Sequence, residues 1–80
     1  MNVYAVCPMS QDVACGHSKP DVVCGKFEDA QQYVFDTYEG YMLAEHYSYD
    51  YEDEKAAWYY SPNGEYDEES NVVIIEYKVR

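Results

Sequence analysis

Basic residues are scarce in this chain. Five Lys and Arg (Lys19, Lys26, Lys55, Lys78, Arg80) face sixteen Asp and Glu over 80 residues, a formal net charge of −11. Five scattered cations do not make the basic groove on which nucleic acid is held. Direct nucleic-acid binding is therefore not expected, because a field of this sign repels phosphate and attracts basic surfaces. Long apolar runs are missing too. No stretch approaches the roughly 18–20 residues of a membrane-spanning helix. The opening M-N-V-Y-A-V-C has no basic segment leading into an apolar one, so a signal peptide is not expected and the expected compartment is cytoplasmic. There are only three cysteines, Cys7, Cys15 and Cys24. An odd number suits a secreted disulfide framework poorly, so reduced thiols are expected. Neither G-x-S-x-G nor H-E-x-x-H occurs, and there is no phosphate-cradling glycine loop or dinucleotide fingerprint. His17 and His46 stand apart from each other. No enzyme and no cofactor are expected.

Aromatic residues, by contrast, are plentiful: eleven Tyr, two Phe and one Trp. Disordered acidic tails lack such residues, so the chain is expected to fold. Eighty residues make one domain, 1–80. A domain of this size buries only about 60–65% of its unfolded surface, which leaves a thin stability margin.

Residues 2–7 read as a strand, residues 8–20 as a loop broken by Pro8, Gly16 and Pro20, and residues 21–27 as a second strand around Val22, Val23 and Cys24. Phe27, Ala30, Val34 and Tyr38 fall on one face of a 3.6-residue period and predict a helix that Gly40 stops. Met42, Leu43, Ala44 and Glu45 are good helix formers, so residues 41–47 are expected to add a helical turn or two. Residues 50–54 read as an acidic connector, 55–60 as a strand, Ser61-Pro62-Asn63-Gly64 as a turn, and 65–70 as its extension. Residues 71–79 carry the strongest strand signal, and the unbroken Val72–Ile75 run predicts a central position beside strands 2–7 and 56–60. The expected fold is α+β: a single small antiparallel-rich sheet, β-β-α-β-β, with one main helix packed on one face. Val3, Ala5, Val22, Cys24, Val73 and Ile75 are the expected surface beneath the helix.

Half of the acids lie in two runs: Asp50, Glu52, Asp53, Glu54, and Glu65, Asp67, Glu68, Glu69. Alternate residues of an extended segment are about 6.6–6.8 Å apart. Carboxylates at such intervals are able to imitate a phosphate backbone and to replace it on Lys and Arg side chains. Tyr47, Tyr49, Tyr51, Tyr59, Tyr60 and Tyr66 surround these runs. Tyrosine offers broad rigid area with a polar tip and receives guanidinium groups on its ring face. The expected partner-binding residues are the eight acids with Tyr49, Tyr51 and Tyr66. Tyr4, Tyr33, Tyr38 and Tyr77 are expected to complete the core instead. Cys7, Cys15, His17 and Cys24 form a possible zinc set on paper, but no C-x₂₋₄-C pair supports it. Packing is the simpler role for Cys7 and Cys24.

In its acid runs, aromatic content and length the chain resembles the small acidic phage-encoded inhibitors that act as DNA mimics, the anti-CRISPR and anti-restriction proteins. The resemblance is one of overall character and covers the whole chain. It implies a non-enzymatic inhibitor, working in the host bacterial cytoplasm, that occupies a basic nucleic-acid-binding groove on a host protein or complex. The alternatives are an acidic interaction or regulatory adaptor module and a small Cys/His metal-binding protein.

Overall fold

The computed structural model describes residues 2–8, 21–48, 54–66 and 70–78. Within them the chain runs β1 (Asn2–Pro8), β2 (Val22–Cys24), α1 (Phe27–Thr37), β3 (Met42–Ser48), β4 (Glu54–Ser61) and β5 (Val72–Lys78). The strands form one antiparallel sheet in the order β2-β1-β5-β4-β3. The class is α+β, as expected, and β5 lies at the centre between β1 and β4. A strand covered on both sides cannot alternate apolar with polar residues, and Val72, Val73, Ile74 and Ile75 are all buried.

The expected element order fails at one point. Residues 42–48 are strand, not helix, so the order is β-β-α-β-β-β. Gly40 takes a φ of 86°, and the chain turns out of the helix there. Helix preference separates these residues by only a few tenths of a kcal/mol each. Against that, β3 pairs with β4 from Met42↔Ser61 to Ser48↔Ala56, which satisfies the outer edge of β4. A register shift between Leu43 and Glu45 interrupts the ladder and re-aims the side chains that follow. The edges of the sheet are therefore β2 and β3, and the 56–60 segment is interior.

Helix α1 buries Ala30 and Val34 against Val6, Tyr60, Val72 and Ile74, with Phe27 and Tyr38 packed partly against the same cluster. Its periodic face is the expected one. Glu28 and Asp29 sit in the first turn, where the helix dipole favours negative charge. Val22 and Cys24 join the helix side, as expected. Ala5, Val73 and Ile75 do not: with Cys7 and Ala57 they form a second cluster on the opposite face, against which Tyr59 and Tyr77 pack. The period of two in β1 and β5 was correct, but the phase was one residue off, which exchanges the faces.

Cys7 is disulfide-bonded, against the expectation of reduced thiols, and Cys24 is free. The strands carrying them are paired, with Tyr4 opposite Cys24. Burial, then the nearby Asp29, pushes the Cys24 thiol up and keeps it protonated. Among the described residues no helix is long and apolar enough to cross a membrane.

Candidate functional site: an acidic tyrosine face

Of the expected partner-binding residues, Glu54, Glu65 and Tyr66 belong to the described structure, whereas Tyr49, Asp50, Tyr51, Glu52, Asp53, Asp67, Glu68 and Glu69 lie outside the described residues. Glu54 opens β4 opposite Tyr77, and Glu65 follows the turn at the other end of that strand. The turn has the chemistry its residues predict. Gly64 has a φ of 75°, and the Asn63 side-chain oxygen accepts from the Glu65 amide at 3.0 Å. Eight residues of β4 at about 3.3 Å each hold Glu54 and Glu65 roughly 20 Å or more apart.

Glu45 lies between them. It is opposite Tyr59 on β4, so both side chains rise from the face away from the helix. Asp36 and Glu39, by contrast, belong to the helix side of the sheet, where Gln32 donates to Asp36 at 2.9 Å. Around Glu45 the rings form a continuous corner. Tyr47 and Tyr59 meet at 5.6 Å between centroids with an interplanar angle of 82°, and Tyr59 and Tyr66 meet at 5.4 Å and 62°. Such edge-to-face packing is the favoured arrangement of aromatic quadrupoles. The Tyr47 hydroxyl donates to Glu45 Oε2. Together Glu45, Tyr47, Tyr59 and Tyr66 line an open groove of about 510 Å³.

The sequence places Tyr66 among the expected partner-binding residues, gives Tyr47 and Tyr59 only as neighbours of the acids, and puts Glu45 in a helix. The signal for Glu45 and Tyr47 was their i, i+2 spacing, which places both on one face of a strand. Tyr60, grouped in the sequence reading with the aromatics around the acids, is instead 1% exposed in the core under the helix. There Gln31 Nε2 donates to its hydroxyl at 3.3 Å.

A second concavity lies on the helix side, lined by Asn2, Tyr4, Gly25, Lys26, Phe27 and Glu28. Tyr4, Phe27 and Trp58 pack as a triplet with centroids 4.5–6.3 Å apart. The His46 ring stacks on Trp58 at 4.8 Å and 5°. Glu76 accepts from Asn2 Nδ2 at 2.5 Å and from the Tyr4 hydroxyl at 3.2 Å. Here the carboxylate is bound by neutral donors, as it is at Tyr38, whose hydroxyl donates to Asp21 at 2.7 Å.

Several phenols are correspondingly hard to ionise. Burial raises Tyr4, Tyr38, Tyr60 and Tyr77, and nearby carboxylates add to it at Tyr4 (Glu76), Tyr38 (Asp21) and Tyr77 (Glu54). A folded-state pKa above the unfolded value of about 10 means stability that is complete below pH 10 and is lost as pH rises past it. The fold is thus expected to lose stability as the pH rises above about 10. Absorbance at 295 nm should show these phenols ionising together with the loss of circular dichroism. Separate, gradual titration of all eleven tyrosines with the fold intact would contradict this.

Of the zinc set, only Cys7 and Cys24 fall among the described residues. Cys7 in a disulfide is not a thiolate ligand, Cys15 and His17 lie outside the described residues, and no group of three potential ligands forms among the described ones. No family model, curated protein or solved structure matches this chain.

Proposed function

We propose that this chain is a non-enzymatic acidic inhibitor that occupies a basic nucleic-acid-binding groove of a partner protein, a DNA mimic of the anti-CRISPR or anti-restriction type. The observation that carries this reading is the charge of −11 joined to an acidic tyrosine face whose carboxylate, Glu45, is held among the described residues by a phenol and not by a cation. A phenol fixes the geometry of a carboxylate without cancelling its charge. The exterior field therefore remains available to a basic surface. The partner is a nucleic-acid-handling protein or complex of a bacterial host, and the place of action is the host cytoplasm. Thiol pools there are reducing, which opposes the Cys7 disulfide, so binding is to be measured with and without reductant.

Affinity capture from a bacterial lysate tests the reading. A DNA-handling complex should be retained at roughly 50 mM salt and released by about 200 mM, because contacts that replace phosphate are screened. Changing Asp50, Glu52, Asp53 and Glu54 together to Lys should abolish capture, and replacing Lys19 should not. Undiminished binding by the charge-reversed chain would falsify mimicry.

Exposed Met42 and Leu43 on the edge strand favour a second reading, that of an interaction or regulatory adaptor module, since phosphate mimicry has no use for apolar side chains there. Excess duplex DNA separates the two. It should displace a mimic and leave an adaptor bound.

A further inference from the structure

We propose that the corner formed by Tyr47, Tyr59 and Tyr66 with Glu45 is a binding site for a guanidinium group, the side chain of an arginine on the partner. This rests on the reading of the chain as a binder of a basic protein, and it identifies the chemistry by which one part of the surface would recognise that protein.

The site is built from three separate parts of the chain. Glu45 and Tyr47 come from β3, Tyr59 from β4, and Tyr66 from the segment after the β4 turn. The two steep interplanar angles, 82° and 62°, turn the three rings about Tyr59 instead of stacking them flat. A concave group of rings offers negative π density to a cation from more than one direction. Guanidinium suits such a corner better than ammonium, because it is planar, weakly hydrated and stacks on aromatic faces. Glu45 adds the formal charge. The Tyr47 hydroxyl engages Oε2 and so sets the carboxylate's orientation, and Oε1 is suited to accept an N–H from the incoming group. Tyr47 and Tyr66 are 44% and 42% exposed, so the corner is reachable from solvent. The groove of about 510 Å³ falls within the size range of small-molecule pockets, which is ample for one arginine side chain and its flanking backbone.

The test requires no partner protein. N-acetyl-arginine amide and its uncharged isostere N-acetyl-citrulline amide are titrated into the full chain while the tyrosine ring resonances are followed by NMR. The arginine probe should shift the rings of Tyr47, Tyr59 and Tyr66 with a Kd on the order of 1–10 mM, whereas citrulline should not. Tyr59→Leu should weaken the arginine probe at least about fivefold, and Tyr59→Phe, which keeps the ring, should stay within about twofold. Glu45→Gln should weaken it about three- to tenfold. Tyr66→Leu, in the more exposed segment, gives the same test should Tyr59→Leu compromise folding. Equal binding of citrulline, or an unchanged Kd in both leucine variants, would overturn the proposal. Should the full chain still capture a basic partner at low salt while the arginine probe fails, this site is wrong and the broader function stands. If the probe behaves as expected and no DNA-handling complex is captured, the site stands and the inhibitor reading falls.

Discussion

Ile74→Ala is expected to lower the melting temperature by about 15 °C or more, or to leave the chain unfolded at room temperature. Ile74 is fully buried at the middle of the central strand, between Val6 on β1 and Trp58 on β4. It belongs to the cluster that Ala30 and Val34 of the helix close over. Removing three buried carbons there costs about 2–5 kcal/mol, since helix and sheet cannot both move in to fill the gap. Small domains have only about 5–15 kcal/mol in total, and 80 residues place this one toward the low end. Each kcal/mol corresponds to about 4–8 °C in a domain of this size. Thermal melts followed by far-ultraviolet circular dichroism provide the measurement. Val23→Ala, at a site 54% exposed on the short outer strand, should move the melt by no more than a few degrees. Similar shifts from the two variants would mean that the helix–sheet cluster does not dominate stability.

Reduction is the second large effect. Opening the Cys7 disulfide is expected to cost about 2–5 kcal/mol, the usual range for a small domain. The melting temperature should then fall by about 10–20 °C in reductant. Cys7 is 1% exposed within the second cluster, so the thiol left behind remains in apolar surroundings and the loss comes chiefly from the freed chain. Cys24→Ser separates this from other thiol effects. The variant should show the same difference between oxidised and reduced melts as the parent, because Cys24 is free. An unchanged melt in reductant would show that the cross-link contributes nothing to folding.

Where the sequence carried a strong periodic signal, the structure agrees with it. Ala30 and Val34 announced the buried stripe of the helix, and the unbroken Val72–Ile75 run announced a strand covered on both faces. The failures have identifiable causes. Met42 to Glu45 prefer helix by only a few tenths of a kcal/mol each, and the long-range pairing with β4 decides their state; no local pattern contains that pairing. The face assignment of Ala5, Val73 and Ile75 failed because a strand apolar on both sides gives no phase. Cysteine parity pointed to reduced thiols, yet an odd total still leaves room for one bond and one free thiol. Of the tyrosine corner, Tyr66 is among the residues the sequence proposes for the partner surface, whereas the place of Glu45 beside it follows only once β3 is extended.

The phenol–carboxylate pairs at Glu76, Asp21 and Glu45 have a consequence for ionic strength. A contact with one neutral partner is little weakened by salt, while repulsion among the sixteen acids is relieved by it. Raising the salt concentration therefore firms the fold at the same concentrations that would release a basic partner. Folding and association respond to the solvent with opposite sign, so a loss of binding in high salt cannot be mistaken for a loss of structure.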